Sequence, residues 1–132
     1  AAQPDDARAL VLFALQLPHG DERAAALERA LALAPEDPTA LIELASERLE
    51  AHRLDEASTL AAEAVRLAPW SLRVMVRQAT ILEARGDCQQ AAATLLRAID
   101  FSHLAPRSPR RLELEEQLRT MRSCTADAVP TR

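Results

Sequence analysis

The chain has 132 residues, of which 48% are hydrophobic and 27% charged, a composition typical of a folded domain with its own core. Its formal net charge of −4 argues against a nucleic-acid binder, which needs a clustered basic surface. No apolar run approaches the ~20 residues that span a bilayer, so membrane insertion is not expected.

The residue types favour helices over sheets. The chain contains two Phe, one Trp and no Tyr, whereas Ala and Leu are abundant. All 16 basic residues are Arg, a bias typical of GC-rich bacterial genomes. We therefore expect an all-α protein of bacterial origin.

Seven helices are predicted between segments that contain all eight prolines, because proline lacks an N–H group and clashes inside a helix. Asp37, Ser71 and Ser108 are predicted N-caps. Asp87 is predicted to cap the sixth helix, with Gln90 closing a capping box. The predicted ranges are 5–17, 21–34, 38–52, 55–68, 72–85, 88–102 and 109–123.

Trp70 precedes the fifth helix. Met75 stands four residues after Ser71, which is the spacing of a hydrophobic staple. We therefore predict that Trp70 packs on Met75, and a role in stacking on a ligand is the alternative.

The chain repeats itself at an interval of 34 residues. Ala30 and Pro35 return as Ala64 and Pro69. A helix pair that repeats in this way predicts a solenoid, because one pair cannot bury its apolar face and neighbouring pairs must stack. A generic bundle rich in Ala and Leu is the alternative, although it does not need the same positions to recur.

Small residues strengthen this pattern. Ala45 and Ala79 on the first helices, and Ala57 and Ala91 on the second, stand where helices must approach closely. With these spacings the chain resembles the tetratricopeptide repeat (TPR) family. Arg23 departs from it, since a close-packing Ala is expected there. The resemblance implies one domain, 1–132, folded as a right-handed α-solenoid, with helix pairs at 4–37, 38–71 and 72–105, a capping helix at 109–123 and a tail at 124–132.

The capping helix carries apolar residues that are expected to face the stack. They are Leu112, Leu114, Leu118 and Met121.

The resemblance also implies a concave groove, lined by the first helix of each pair, that holds a peptide or helix of a partner protein. Ile42, Leu49 and Val76 are expected to be more exposed in it than apolar core residues are. The predicted groove residues are Arg8, Leu12, Ile42, Glu43, Ser46, Leu49, Arg73, Val76, Arg77 and Thr80.

Arg73 and Arg77 lie one helical turn apart and are predicted to grip a carboxylate. Some family members bind the C-terminal carboxylate of a chaperone in this way; Arg8, Arg73 and Arg77 match that clamp. Leu12 and Glu43 do not match it, and Glu43 would repel an acidic peptide. Solubility, or pairing with Glu43 and Glu83, is the alternative role for these arginines.

No motif indicates catalysis, and neither an enzymatic role nor a cofactor is expected. His19, His52, Cys88 and Cys124 recur at intervals of about one repeat and should lie along one edge. They are not predicted to bind zinc, because packed helices are ~8–10 Å apart and zinc needs four ligands within ~2.3 Å.

Cys88 begins the sixth helix and Cys124 follows the seventh. Because successive helices run antiparallel, both cysteines are expected at the same edge, where a disulfide would pin the capping helix. A disulfide would indicate a periplasmic or secreted protein, and free thiols a cytoplasmic one.

Two functions follow from this sequence. The first is a protein-interaction module, a monomer or weak homo-oligomer, whose groove binds an unidentified partner. The second is a structural spacer or assembly subdomain of a larger enzyme or envelope complex, in which the groove is not used.

Overall fold

A computed structural model describes residues 6–127, and side chains up to residue 124. The described residues form seven helices and no strand. Residues 4 and 5 of the predicted first unit and residues 128–132 of the predicted tail lie outside this range. The helices are α1 (Ala7–Gln16), α2 (Asp21–Leu33), α3 (Pro38–Glu50), α4 (Leu54–Leu67), α5 (Leu72–Ala84), α6 (Cys88–Ser102) and α7 (Pro109–Asp127).

The predicted helix ends agree with the structure to within two residues, with one exception. Helix α7 continues to Asp127, so residues 124–127 of the predicted tail are helical. Helices α1 and α2, α3 and α4, and α5 and α6 pack as pairs, and α7 packs on α6. Helix α3 also contacts α5, so the first helices of the second and third pairs are neighbours.

Three of the predicted caps are confirmed. The Asp37 carboxylate accepts hydrogen bonds from the backbone N–H groups of Thr39 and Ala40, at 3.0 and 3.4 Å. Ser71 accepts from the N–H of Val74 and Ser108 from that of Arg111, both at 3.3 Å. Each cap satisfies a donor that the first helical turn leaves unpaired.

The predicted capping box of α6 is wrong. Asp87 makes no side-chain cap bond, and its carboxylate lies 3.7 Å from the Arg85 guanidinium. In a capping box, the Gln90 side chain would accept a hydrogen bond from the Asp87 N–H. This N–H instead donates to the Leu82 carbonyl at 2.9 Å. Gly86, with φ +90°, forms this turn, so the chain leaves α5 through a Schellman motif.

The predicted hydrophobic staple is also wrong. Trp70 is 75% exposed, whereas Met75 is buried. Met75 belongs instead to the cluster that contains Ala91 and Leu95 of α6 and Met121 of α7. The spacing indicated a local contact between Trp70 and Met75. Met75 instead packs against helices that are distant in sequence.

Small side chains make the close packing possible. Ala45, Ala57, Ala79 and Ala91 are fully buried. Any larger side chain at these positions would push neighbouring helices apart. The repeat positions identified in the sequence are therefore the positions where helices meet.

Helix α7 covers the end of the stack as predicted, with one correction. Leu114, Leu118 and Met121 are buried against α5 and α6. Leu112 is half exposed and does not face inward. Across residues 6–127, no helix combines the length and apolarity required to cross a bilayer.

Candidate partner-binding groove

The predicted groove residues lie on α1, α3 and α5, and their exposure varies widely. Leu12 is 56% exposed, and Arg8, Arg73 and Arg77 are also exposed. Leu49 is half-buried. The exposed side chains are thus Arg8 and the apolar Leu12 on α1, and two cations on α5.

The expected exposure of Ile42 and Val76 is wrong, since only 1% and 8% of these residues are exposed. Ile42 packs with Val74 and Ile81 of α5, because α3 and α5 touch directly. Val76 joins the cluster beneath α7. We call the surface formed by α1, α3 and α5 the inner face. Ile42 and Val76 lie beneath this surface and are not accessible to a ligand.

Glu43 of α3 lies at the centre of an ion-pair cluster. Only 2% of this residue is exposed, and each carboxylate oxygen has a guanidinium partner. Arg73 Nη2 of α5 donates to Oε1, and Arg23 Nη2 of α2 donates to Oε2 at 3.2 Å. Glu43 thus joins all three helix pairs.

Arg77 contacts the same helix differently. Its Nη1 donates to the Ser46 hydroxyl at 2.8 Å, a neutral partner. The Ser46 hydroxyl in turn donates to the Ile42 carbonyl at 3.1 Å. Arg73 and Arg77 therefore both contact α3. Within the described residues, only Arg73 has a carboxylate partner.

The local electrostatics reflect this imbalance. The pKa of the Arg73 guanidinium lies below its usual value, first because burial removes water from the charge and then because Arg77 and Arg23 are nearby cations. Arg73, Arg77 and Arg23 thus lie close enough to repel one another, although Glu43 forms ion pairs with two of them.

Two of the predicted polar residues lie outside this cluster. Arg8 lies on α1 and forms no hydrogen bond or ion pair with any other described side chain. The Thr80 hydroxyl donates to the Val76 carbonyl and accepts from Gln117 of α7, both at 3.1 Å. Helix α7 therefore borders this end of the inner face.

A second buried carboxylate, Glu47, holds the turn between α1 and α2. Its Oε1 accepts from the Gly20 N–H at 3.0 Å, and its Oε2 lies 2.5 Å from His19 Nδ1. Arg23 Nε is 3.2 Å from Oε2 but is not aligned for a hydrogen bond. The Arg23 Nη1 group donates to the Leu17 carbonyl at 3.0 Å. Arg23 and Glu47 together clip this turn onto α3.

Clefts are also present elsewhere on the surface. A cleft of about 550 Å³ is lined by His19, Gly20 and Glu47 together with residues of the α3–α4 turn. Another, of about 730 Å³, lies over α4 and includes Leu60 and Arg66. Arg73 and Arg77 line neither of these two clefts.

Comparisons with known proteins identify the fold. No family model matches the sequence, and no curated protein is recognisably similar to it. The first TPR domain of Spaghetti (RPAP3), bound to the HSP90 peptide SRMEEVD, has a TM-score of 0.78 and 17% identity over 92% of this chain and 94% of that one. The protein has the tetratricopeptide-repeat fold.

Two further TPR structures agree. The TPR2B domain of yeast Sti1, in a complex with pHsp70, has a TM-score of 0.75 and 21% identity over 90% of this chain and 94% of that one. The type III secretion translocator chaperone SycD of Yersinia enterocolitica has a TM-score of 0.78 and 14% identity over 90% and 85%. These similarities confirm the predicted right-handed α-solenoid.

The departure from the TPR pattern at Arg23 now has a structural reason. Its counterparts Ala57 and Ala91 are fully buried at helix contacts, whereas Arg23 reaches out to Glu43 and Glu47. The sequence marked Arg23 as anomalous but did not reveal these partners. The signal in the sequence was an Arg at a repeat position that is normally buried, together with two glutamates, Glu43 and Glu47, on the next helix. Together they would have suggested these ion pairs.

The cysteines meet as the TPR topology predicts. The Cα atoms of Cys88 and Cys124 are 6.0 Å apart, within the range for a disulfide, and the sulfur atoms are 1.97 Å apart. His19, on the same predicted edge, contacts Glu47 instead. In the part of the chain that the structure describes, no cluster of three or more His, Cys, Asp or Glu residues could hold a metal ion.

Proposed function

We propose that this TPR-like protein is an interaction module that binds a segment of a partner protein on its inner face, with an acidic group of the partner at Arg73 and Arg77. Arg77 carries the proposal. Its guanidinium is exposed, has only a neutral hydroxyl as its partner within the described residues, and lies beside a second cation in a chain of net charge −4. The role is binding, not catalysis.

The proposal gains support from the similar structures, three of which are complexes. By their descriptions, they hold an HSP90 peptide, pHsp70 and a peptide of the translocator YopD. The exposed Leu12 on α1 adds an apolar contact for the partner segment, while Leu49 on α3 contributes a half-buried one.

The test is an affinity pull-down from the native host, analysed by mass spectrometry, with the parent and Arg77→Glu as baits. Arg97→Glu is the matched control, since Arg97 is exposed on α6 outside the inner face. A partner retained by the parent and by Arg97→Glu but lost by Arg77→Glu supports the proposal. Equal retention by all three baits removes Arg77 from the binding site.

The second candidate function, a spacer or assembly subdomain, is favoured by exposed apolar side chains away from the inner face. Leu33, Trp70 and Phe101, at or just beyond the ends of α2, α4 and α6, are 56%, 75% and 63% exposed. A neighbouring domain would bury such residues. This function predicts that a Trp70→Ser, Phe101→Ser variant loses its assembly while Arg77→Glu keeps it.

We place this activity in an oxidising compartment, periplasmic or extracellular. The proximity of Cys88 and Cys124 supports this placement, because cytosolic thiols are kept reduced.

A further inference from the structure

The inner face already contains a carboxylate bound to one of its exposed arginines. Glu43 is buried, and both of its oxygens are engaged by guanidinium groups from other helices, Arg73 from α5 and Arg23 from α2. Half of the Arg73 side chain is nevertheless exposed on the side that a ligand would approach.

We propose that Glu43 is an internal counter-ion that determines the specificity of the inner face by weakening its affinity for acidic ligands. This inference rests on the proposed function, since it concerns the same Arg73 and Arg77. The inference assigns to Glu43, a buried residue, a role in ligand specificity.

The first step of the argument is competition for donors. An arginine binds a carboxylate best through two parallel N–H groups, and Glu43 already uses Arg73 Nη2. A ligand carboxylate must therefore share Arg73 with Glu43, or bind mainly to Arg77.

The second step is that Glu43 is held in place. Arg23, whose side chain is largely buried, holds the other oxygen of Glu43. Arg23 is itself held by the Leu17 carbonyl, and Glu47 lies beside it. Because Arg23 holds the oxygen that Arg73 does not contact, the Glu43 side chain cannot readily rotate away from Arg73 when a ligand binds there.

The third step is the remaining charge. Arg23 contacts the carboxylates of both Glu43 and Glu47, and Arg73 contacts that of Glu43. The third guanidinium group, that of Arg77, donates only to the Ser46 hydroxyl within the described residues. The excess positive charge suits one acidic group. A ligand with several adjacent carboxylates would bring further negative charge close to Glu43 and be repelled. We therefore expect the partner to present a single acidic group with apolar neighbours.

The test measures binding of a defined probe by fluorescence anisotropy. The probe is the peptide Ala-Leu-Ala-Leu-Ala with an N-terminal dansyl group, which carries no carboxylate, so that its single acidic group is the free C-terminal carboxylate. The same dansylated peptide with an amidated C-terminus is the blank. Glu43→Gln keeps the shape and one of the two accepting oxygens but removes the charge. We expect it to bind the carboxylate probe roughly tenfold more tightly than the parent, because a negative charge near the ligand is lost.

Glu47→Gln is the matched control. Glu47 is equally buried and lies one turn further along α3, but it contacts Arg23, His19 and Gly20 and not Arg73. Its affinity for the probe should stay within about twofold of the parent's. Circular dichroism verifies the fold of each variant. If Glu43→Gln is unfolded, Arg23→Ala with Glu43→Ala replaces it, because removing both partners leaves fewer buried charges unpaired.

Each outcome decides the inference. Tighter binding by Glu43→Gln but not by Glu47→Gln supports it. Unchanged binding overturns it, and weaker binding would show that Glu43 instead orients Arg73 for the ligand. The proposed function is judged separately by Arg77→Glu, which must bind less probe than the parent. If neither the parent nor any variant prefers the free carboxylate over the amide, both proposals fail.

Discussion

His52 and Gly86 lie 34 residues apart, at the same position of successive helix pairs, and both have a left-handed backbone, with φ +59° and +90°. In each case the turn closes with the same two hydrogen bonds. Arg53 N–H donates to the Arg48 carbonyl and His52 N–H to Leu49, just as Asp87 N–H donates to Leu82 and Gly86 N–H to Glu83. The repeat therefore extends to the backbone of the turns, although only one of these turns has the glycine that favours it.

The first prediction concerns this difference. His52→Gly should raise the free energy of unfolding by about 0.5–1 kcal/mol, because relief of the left-handed strain exceeds the entropy cost of the added glycine. Ala51→Gly is the control, since φ at Ala51 is −87° and the change should only destabilise. Urea unfolding measures both. A destabilised His52→Gly variant would show that the His52 side chain has a stabilising role.

The second prediction concerns the close helix contacts. Ala57→Leu and Ala91→Leu should each lower the free energy of unfolding by about 1–3 kcal/mol, because both sites are fully buried and leave no room for added methylene groups. Ala62→Leu and Ala93→Leu, exposed on the same helices, should unfold close to the parent. Parent-like unfolding of both buried variants would contradict the repeat register.

The third prediction separates the two exposed arginines by stability. Arg73→Ala should lower the free energy of unfolding by about 1 kcal/mol, since Glu43 loses one of two partners; half-exposure of Arg73 keeps the cost below that of a fully buried pair. Arg77→Ala should cost less than about 0.5 kcal/mol, because Ser46 still donates to the Ile42 carbonyl. Thermal and urea unfolding test this order, and the reverse order would contradict the assigned contacts.

The different contacts of Arg73 and Arg77 decide which of them should be replaced to test binding in the groove. In the structure, Arg73→Glu would place a second carboxylate against buried Glu43. Arg77→Glu is therefore the cleaner probe of binding.

The fourth prediction concerns the cysteines. Loss of the Cys88–Cys124 link, by Cys88→Ala with Cys124→Ala, should lower the free energy of unfolding by about 3–4 kcal/mol in the chain-entropy model for a loop of this size. Reductant should lower the stability of the parent to the same level and leave the double variant unaffected.

Thiol counting provides the matching chemical test. Protein isolated from its native compartment without reductant should show no free thiol after denaturation. Two free thiols would remove the link and, with it, the case for an oxidising compartment.

The fold was predictable because its information is local and repeated. Ala57 and Ala91 mark helix contacts, and Asp37 and Ser71 mark helix starts, so neighbouring residues and one interval determined nearly every boundary. The end of α7 was missed because no proline or glycine follows Cys124 within the helix to mark a stop.

The inner face was less predictable because its properties depend on distances between repeats. Periodicity assigns Ile42 and Val76 to a helix face but does not say that α3 and α5 touch and close over them. Likewise, the Arg23–Glu43 pair joins helices that local patterns treat separately. The prediction for Trp70 was wrong for the opposite reason. A local spacing suggested that it contacts Met75, but Met75 is buried against other helices and Trp70 is exposed.

The most direct test of the central claim, that the inner face binds a partner through Arg77, is photo-crosslinking in the native host. Benzoylphenylalanine replaces Leu12, exposed on α1, or Ala62, exposed on α4. We predict that position 12 forms an adduct with a partner protein, that position 62 does not, and that Arg77→Glu abolishes the adduct. Adducts from position 62 alone, or an adduct at position 12 that Arg77→Glu leaves unchanged, would contradict the claim.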